Sequence, residues 1–409
     1  LGKPGNSFIG FGGNFRLQNP EKDPAVISYC LENMRVAMGR VELPWRNWHP
    51  EEDMDPTQAE LHHHVKESLE MAQRLEAMGM PVALACWFPP QWALEPGSVR
   101  KSGGVAALRL DKEKKDKIYQ SLCSYIKFAK ERYGVEFDYF SFNESDIGID
   151  VLHTPEEHRD FIKEFGAVLA DAGLPCKMFL GDNSDATPID FIRPAIADPQ
   201  THKYIGAVSF HSWRGCDDQT LKEWARAAES INAPLIVGEG STDAAAHRYP
   251  QIFNEATFAL YEINLYTRIC AICQPLTILQ WQLTSDYSPL WGDGIYRSEG
   301  PLRPTQRFWN LRQLAMTPEN SFSIPAVCSK ANINTAAFAN IARGETAVHM
   351  VNNGAACEAQ ITCLPQNAAE ATVYVTNSRQ NSTSETLKPA EGSLTLTLPA
   401  ESFVTIIIK

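Results

Sequence analysis

The sequence predicts an α/β protein, a (β/α)8 barrel of the TIM type followed by a smaller, C-terminal all-β sandwich. Short apolar runs alternate with helical stretches eight times before residue 317, as expected for parallel strands joined by helices. Eight such units in about 310 residues favour a closed barrel over an open, doubly wound sheet. After Thr317 the helical periodicity stops, and short β-rich runs separated by turn residues indicate the sandwich.

The predicted barrel strands are short runs of aliphatic, aromatic or glycine residues bounded by polar or turn-forming residues. The first run is rich in glycine, but it lacks the spacing and the following helix that would indicate a dinucleotide site. In chain order the predicted strands are residues 8–15, 35–41, 81–87, 137–145, 177–183, 207–213, 234–242 and 276–282.

The predicted helices follow from amphipathic periodicity and from residues that favour helix ends. Pro56 precedes the second helix and Gly79 follows it, while Gly134 ends the third. Glu156 and Glu157 suit the first turn of the fourth helix because of the helix dipole. The predicted helices span residues 25–34, 57–78, 112–133, 155–172, 187–197, 218–232, 251–273 and 304–316.

The sandwich is predicted from β-rich runs near the C-terminus. They span residues 335–339, 346–352, 359–364, 372–375, 393–398 and 402–408. We therefore expect a barrel domain at residues 8–317. We expect a β-sandwich side domain at residues 318–409, together with the first few N-terminal residues.

Length and charge limit the partners of this chain. Its 409 residues suffice for one large and one smaller domain, and 44% hydrophobic with 21% charged residues is an ordinary globular composition. A net charge of −12 argues against a nucleic-acid partner. No apolar run is long enough to cross a bilayer, so we expect no membrane partner.

Neither the cysteines nor the histidines indicate a metal or cofactor. Cys270 and Cys273 form a C-x-x-C on a helical pattern without a second pair nearby, which favours a packed helix face. The histidines at 62–64 lie in a predicted helix, where adjacent side chains point to different faces. Proximity alone suggests a bridge between Cys357 and Cys363 in an oxidising compartment. Cysteines expected in the core are Cys30, Cys86, Cys123, Cys216 and Cys270.

Two predicted strands each deliver one glutamate at the carboxyl end. Glu144 follows an aromatic run, and Glu239 follows an aliphatic one. Active residues of such barrels lie at the carboxyl ends of the strands, and a pair of carboxylates is what glycoside hydrolysis needs. The alternative for each glutamate alone is a solvated strand end. Other polar or aromatic residues at these ends are Arg40, Trp87, Asn143, Asp182, His211 and Trp281.

The chain is rich in tryptophan, and several tryptophans fall at or just after predicted strand ends. The C–H faces of sugars stack on aromatic rings, so clustered tryptophan suits a carbohydrate site, although core packing explains any single one equally well. We expect Trp281 to form the floor of a sugar subsite. The tryptophans in this position are Trp45, Trp87, Trp92, Trp213, Trp281 and Trp291.

These features together resemble glycoside hydrolase family 30, a member of clan A of retaining (β/α)8 glycosidases. The resemblance covers nearly the whole chain in order. It is carried by residues 10–13 (Gly-Phe-Gly-Gly), Arg40, residues 87–92 (Trp-Phe-Pro-Pro-Gln-Trp), Asn143-Glu144, Glu239 and the closing run at residues 398–405.

The resemblance implies a retaining β-glycosidase that acts on an oligo- or polysaccharide by double displacement and needs no cofactor. It makes Glu144 the acid/base and Glu239 the nucleophile. Arg40 would keep the nucleophile ionised, the alternative being a surface ion pair with Glu42. Asn143 would bind the sugar 2-hydroxyl, the alternative being a turn-forming asparagine.

The remaining residues and the setting stay more open. His211 is expected to orient the nucleophile or bind sugar, or to be a half-buried, satisfied histidine. Trp87, Trp213 and Trp281 are expected to contact the substrate. Family habit implies a secreted or periplasmic protein, and we expect a monomer. The sugar, the linkage and exo or endo action stay open.

Two other functions compete with this hypothesis. A catalytically inactive carbohydrate-binding barrel would fit the fold, but its hallmark, loss of either glutamate, is absent. A phosphate-binding barrel enzyme would need a glycine-rich phosphate loop after the seventh and eighth strands. Gly238 and Gly240 instead flank the carboxylate of Glu239, which would repel phosphate.

Overall fold

The computed structural model describes residues 4–98, 105–365 and 368–409. Its centre is a closed barrel of eight strands that follow one another around the ring in chain order. The predicted (β/α)8 barrel is therefore confirmed. The barrel strands are β1 (Gly12–Asn14), β2 (Gly39–Pro44), β3 (Val82–Trp87), β4 (Tyr139–Phe142), β5 (Lys177–Asn183), β6 (Ile205–His211), β7 (Leu235–Gly240) and β8 (Thr277–Gln280).

Burial on both faces explains why these strands are continuous apolar runs rather than alternating ones. All six residues of β3 are buried, as are all six of β7. A parallel barrel strand has packed side chains inside and helices outside, so neither face is exposed to water. The sequence therefore favours Val, Leu, Ile and Ala along the strand, and polar residues return at its end.

A helix follows each barrel strand. The main helices are α1 (Asp23–Asn33), α2 (His63–Ala77), α3 (Lys115–Phe128), α4 (Pro155–Asp171), α5 (Arg193–Ala197), α6 (Asp218–Ser230), α7 (Ala256–Cys273) and α8 (Gln306–Ala315). Shorter helical segments are Trp45–Trp48 and Pro199–His202.

The second and seventh helices begin later than the sequence predicts. Helix α2 starts at His63 rather than at residue 57, because the side chain of Asp55 accepts hydrogen bonds from the backbone and hydroxyl of Thr57 and forms a turn there. Helix α7 starts at Ala256, after a separate 3₁₀ turn at Pro250–Asn254. At α2, local side-chain hydrogen bonds thus outcompeted a favourable helical pattern.

The C-terminal part forms the predicted antiparallel β sandwich. A seven-stranded sheet and the two-stranded sheet of Cys357–Ile361 and Leu394–Leu398 share one hydrophobic core. The alternating burial of Leu394–Leu398 shows its leucines facing that core. In order across the sheet, the seven strands are Ser7–Phe8, Ser321–Ile324, Ile333–Asn340, Glu345–Asn352, Ser402–Ile408, Ala371–Asn377 and Gln380–Leu387.

Two strands of this sheet were missed from the sequence. Ser321–Ile324 is short and pairs with the N-terminal strand Ser7–Phe8, a partner far away in the chain. Gln380–Leu387 is an edge strand with largely exposed polar side chains, so it has no apolar alternation to reveal it.

Packing groups the chain into two compact units. One comprises the chain up to Gly12, Gln18–Ala37 and Gly240–Lys409; the other comprises Gly13–Leu17 and Met38–Glu239. Within the first unit, Gln313 of α8 donates from Nε2 to the carbonyl oxygens of Tyr374 and Phe403, each at 3.3 Å. The side sheet is therefore attached to a barrel helix by buried hydrogen bonds. The domain boundary expected near residue 317 stays a prediction.

The ten cysteines are free thiols, so the expected bridge between Cys357 and Cys363 is wrong. Cys270 and Cys273 are buried on α7, as a packed helix face requires. Cys216 is partly exposed rather than in the core. Among the described residues, none of the helices combines the length and hydropathy needed to cross a bilayer.

Candidate active site

One unit brings most of the predicted site residues together. Arg40, Asn143, Glu144, His211, Trp213 and Glu239 all belong to the unit formed by Gly13–Leu17 and Met38–Glu239, and they are all buried. Each lies at or just after the carboxyl end of a barrel strand, except Arg40, which lies early in β2.

Arg40 is a buried hub that contacts four acceptors. Its Nη1 donates to Glu239 Oε1 at 3.1 Å and to Asn14 Oδ1 at 2.8 Å. Its Nη2 donates to Asn143 Oδ1 and to Asp182 Oδ2, each at 2.7 Å. The planar fork of a guanidinium is suited to this fixed arrangement of oxygens.

The alternative reading of Arg40 as a surface ion pair with Glu42 is excluded. Glu42 pairs with Arg16 instead, at 2.9 Å between Oε2 and Nε. Arg40 is only 1% exposed, and its carboxylate partners are Glu239 and Asp182.

Glu144 and Glu239 face the same nitrogen of His211. His211 Nδ1 lies 2.9 Å from Glu144 Oε1 and 3.3 Å from Glu239 Oε2. One oxygen of each carboxyl and one nitrogen of His211 all lie within 4.8 Å of one another. The two carboxyls thus form a close, buried pair. They come from β4 and β7, strands separated by about 100 residues of chain.

The two carboxyls have different hydrogen-bond environments. Glu239 accepts hydrogen bonds from Arg40 Nη1 and from Trp213 Nε1 at 3.2 Å, and His211 Nδ1 lies 3.3 Å from its Oε2 as an ion-pair contact. Two of these partners are cationic, and both hydrogen bonds and neighbouring cations favour the ionised form of a carboxylate. The side chain of Glu144 pairs with His211, and its backbone is left-handed at φ 47°. The hydrogen bonds to Glu239 therefore favour its ionised form.

Burial and neighbouring charges shift the pKa values in this cluster. Burial lowers the pKa of His211, but Glu239 and Asp182 raise it to about 10, so His211 is an imidazolium at neutral pH. Burial raises the pKa of Glu239 to about 7, against the lowering effect of His211 and Arg40. Because the carboxyls interact so closely, this pKa belongs to the pair, which holds one proton below about pH 7.

Asp182 is a site residue that the sequence pointed to only by position. It accepts hydrogen bonds from Arg40, from Ser141 Oγ at 2.7 Å, from Ser209 Oγ at 3.2 Å and from His211 Nε2 at 3.0 Å. Burial raises the pKa of this carboxyl, but Arg40 and His211 hold it well below its usual range. The signal available in the sequence was a carboxylate at the end of a predicted strand, beside the other candidates.

A backbone irregularity in β5 accompanies Asp182. Gly181 and Asp182 are left-handed, at φ 98° and 55°, and the register against β6 shifts between Gly181 and Asn183. Gly181 N donates to His158 Nε2 at 2.9 Å. A Cβ at Gly181 would lie 2.5 Å from the carbonyl oxygen of Ser209, so the position requires glycine.

The predicted tryptophans play different parts. Trp87 is 3% exposed, with the guanidinium groups of Arg16 and Arg40 at 4.9 and 5.0 Å from its ring centre. Trp213 contacts Glu239, as described above. Trp281 is buried and is followed by a cis peptide bond, and it belongs to the other unit.

Two other tryptophans near strand ends pack against each other. Trp45 and Trp92 pack edge to face, with 6.2 Å between ring centres. Trp45 also donates from Nε1 to Ser121 Oγ at 2.9 Å and packs against Phe142. For Trp45, which is fully buried, the core-packing alternative is the better description; Trp92 is half-buried.

Two groups of described residues have side chains arranged closely enough to hold a metal ion. The first is the exposed histidines at 62–64, whose rings lie 4.2–5.2 Å apart, so the expectation that they diverge is wrong. His62 lies just before helix α2, and its Nδ1 accepts a hydrogen bond from His64 N at 3.2 Å. A metal ion on that nitrogen would therefore remove the N-terminal cap of the helix. The second group contains His211, whose protonated ring is not a metal ligand.

Comparison with known proteins gives no match by sequence: no family model and no curated protein matches the chain. Solved structures do match. An endoxylanase of glycoside hydrolase family 30 from Clostridium papyrosolvens has a TM-score of 0.81 at 17% identity, covering 100% of this chain and 98% of that one. A family 30 xylanase from Clostridium acetobutylicum has a TM-score of 0.79 at 16% identity, covering 99% and 97%.

The chain has the fold of glycoside hydrolase family 30. A conserved exported protein from Bacteroides fragilis shares this architecture, with a TM-score of 0.70 at 12% identity, covering 99% of this chain and 98% of that one. The similarity to both Clostridium enzymes runs through the barrel and the side domain alike, because nearly all of each chain is covered.

Proposed function

We propose that this protein is a retaining β-glycoside hydrolase that cleaves an oligo- or polysaccharide by a two-step double displacement. The observation that carries the proposal is the carboxyl pair. An oxygen of Glu144 and an oxygen of Glu239 lie within 4.8 Å of each other. Retaining glycosidases hold their carboxyl groups about 5–5.5 Å apart, whereas inverting ones leave about 6.5–9.5 Å for a water molecule.

In the first step, Glu239 attacks the anomeric carbon while Glu144 protonates the departing oxygen. The electron pair of the glycosidic bond goes to the leaving group, and a glycosyl ester forms on Glu239. Arg40 and Trp213 hold the attacking carboxylate in place and keep it ionised. Glu144 enters this step protonated, as a general acid must.

In the second step, water replaces the leaving group. Glu144 is now ionised and takes a proton from the water, whose oxygen attacks the anomeric carbon and breaks the ester to Glu239. The original protonation states return, and the sugar is released with its starting anomeric configuration.

Asn143 is placed to bind the sugar near the nucleophile. Its Oδ1 accepts from Arg40 Nη2 at 2.7 Å, which fixes the orientation of the amide. The amide nitrogen is then the donor that we assign to the sugar 2-hydroxyl. Trp87 and Trp213 complete the proposed substrate contacts in this unit, while the expected contact of Trp281, in the other unit, stays a prediction.

The structural neighbours suggest the first substrate to test. Two of them are described as xylanases, so β-linked xylan is the first polymer to try. We propose a secreted or periplasmic monomer, a setting supported by the exported structural neighbour.

The proposal is tested by assaying purified protein on a panel of aryl β-glycosides and on xylan. We expect hydrolysis of at least one substrate, and loss of that hydrolysis in Glu239→Gln, which keeps the size of the side chain and removes its charge. The alternative function, an inactive carbohydrate-binding barrel, predicts saturable binding of a glycan without turnover by the wild-type protein.

A further inference from the structure

The carboxyl pair belongs to a larger buried cluster of five charged groups. Arg40 and His211 supply two cations, and Glu144, Asp182 and Glu239 supply three carboxyls. All five residues are buried, and only the side chain of Glu144 keeps as much as 11% exposure. Unbalanced charge is costly in such a place, so the cluster is neutral when one carboxyl carries a proton.

His211 has carboxyl oxygens against both ring nitrogens. Nε2 faces Asp182 Oδ1 at 3.0 Å, while Nδ1 faces Glu144 at 2.9 Å and Glu239 at 3.3 Å. A neutral imidazole has one N–H and one lone pair, so it can donate to only one side. A hydrogen on each ring nitrogen lets His211 donate towards ionised Asp182 on one side and ionised Glu239 on the other, and His211 is then a cation.

The strand architecture makes room for Asp182 at this position. Gly238, next to the proposed nucleophile, has no side chain, and a Cβ there would lie 2.3 Å from Asp182 Oδ1. The backbone is left-handed at Gly181 and Asp182. Four hydrogen-bond donors surround the carboxylate of Asp182. The glycine before Glu239 therefore has a physical reason, which is the close approach of a second carboxylate.

We propose that Asp182 is a positioning residue that keeps His211 doubly protonated and so leaves the remaining proton of the cluster on Glu144. This inference deepens the proposed function and rests on it for the role of Glu144. Asp182 acts through His211 and Arg40, which in turn hold Glu144 and Glu239.

Two further titratable groups lie close to this cluster. His158 on α4 is buried, burial lowers its pKa to about 3, and its Nε2 accepts from Gly181 N. It is therefore neutral. Asp146 follows Glu144 closely and accepts from Ser184 Oγ at 2.7 Å; burial raises its pKa, and hydrogen bonds from Ser184 and the charge of His211 lower it. Within the part of the chain that the structure describes, the hydrogen-bond partners of the His211 ring are Glu144 and Asp182, not these two groups.

The test is Asp182→Asn, which is nearly isosteric and tolerates the left-handed backbone. Without the negative charge of Asp182, the neutral cluster holds one titratable proton instead of two. His211 and Glu144 then share this single remaining proton. We expect kcat/KM to fall about 100-fold or more on glycosides with poor leaving groups, which need the acid. On 2,4-dinitrophenyl glycosides the fall should be about 10-fold or less, and the alkaline limb of the pH profile should move to lower pH.

The matched control is Ser141→Ala. Ser141 donates to the same oxygen of Asp182 that binds Arg40, so this change removes a neutral hydrogen bond and leaves every charge in place. We expect both substrate classes to lose activity equally, with the pH profile unshifted. Equal loss on both classes in Asp182→Asn would assign Asp182 a merely structural role and overturn the proposal.

A second measurement does not depend on hydrolysis. In wild-type protein carrying ¹⁵N-labelled histidine, the resonances of His211, identified by their loss in His211→Asn, should be those of an imidazolium from pH 5 to 9. Titration of His211 near pH 6.5 would overturn the inference even if Asp182→Asn does not fold. A charged His211 in a protein that hydrolyses no glycoside would instead uphold the cluster and refute the proposed function.

Discussion

Arg40 and Glu239 form a buried ion pair, with 3.1 Å between Nη1 and Oε1 and almost no exposure of either side chain. The same guanidinium reaches Asp182, Asn143 and Asn14, so it fixes three strand ends relative to the proposed nucleophile. A charge buried in this way is strongly coupled to its partners. Arg40 is therefore the residue whose geometry matters most for the ionised state of Glu239.

Arg40→Lys should keep the positive charge and lose the planar pair of nitrogens, Nη1 and Nη2, that donate to the surrounding oxygens. A lysine ammonium cannot reach oxygens on both sides in the same plane, so we expect kcat/KM to fall about 100- to 1,000-fold, as when a fixed donor is removed from a reacting group. Arg193→Lys, in an exposed ion pair with Asp190, is the control and should leave kcat/KM unchanged. Wild-type activity in Arg40→Lys would show that the fork is dispensable.

Glu144→Ala should separate substrates by their leaving groups. Poor leaving groups need a proton from Glu144, so we expect their hydrolysis to fall about 100- to 10,000-fold. Activated leaving groups should form the glycosyl ester nearly normally. Added azide should then accelerate turnover and yield a β-glycosyl azide, detected by mass spectrometry. Equal loss on both kinds of substrate, with no azide product, would assign the acid role to another residue.

The pH dependence of kcat/KM should report the ionisation of the carboxyl pair formed by Glu144 and Glu239. Burial raises the pKa of Glu239, and thus of the pair, to about 7. The active form of the pair holds one proton, so activity should fall as pH rises through about 7. The fall should be smaller for activated aryl glycosides, which need no acid. Activity that instead rises through pH 7 would place the titrating proton on the nucleophile.

The side domain should unfold together with the rest of its unit. Gln313 of α8 is buried, donates to the side sheet and accepts from the hydroxyl of Thr376. Gln313→Ala would leave these groups unpaired, and we expect it to lower the free energy of unfolding by about 1–3 kcal/mol. Gln219→Ala, on the exposed face of α6, should change it by about 0.5 kcal/mol or less.

Calorimetry tests the same point for the whole chain. Because α7, α8 and the side sheet share one compact unit, we expect residues 318–409 to unfold together with these helices, with no transition of their own. A separate transition of residues 318–409 would contradict this, above all if residues 1–317 alone retained activity.

The barrel could be predicted from the sequence because its strands are continuous apolar runs that end in polar residues. β3 and β7, with all their residues buried, have this pattern most clearly. The same reasoning placed Glu144 and Glu239 at one rim, because parallel strands of a barrel end on the same side. It did not depend on any similarity in sequence.

The contacts of Asp182 could not be predicted in the same way. They depend on the shifted register at Gly181, a backbone feature that leaves no trace in hydrophobic periodicity. Nor does periodicity reveal that Trp87 lies beside two guanidinium groups. Both are consequences of how distant strands meet, which a linear pattern does not contain.

The anomeric configuration of the first product tests the central claim most directly. If Glu239 attacks the anomeric carbon as a nucleophile 4.8 Å or less from an oxygen of Glu144, two successive displacements must restore the starting configuration. Proton NMR of the first sugar released from a β-glycoside should therefore show the β anomer before mutarotation. Release of the α anomer would mean that Glu239 acts as a base through water, and would contradict the account.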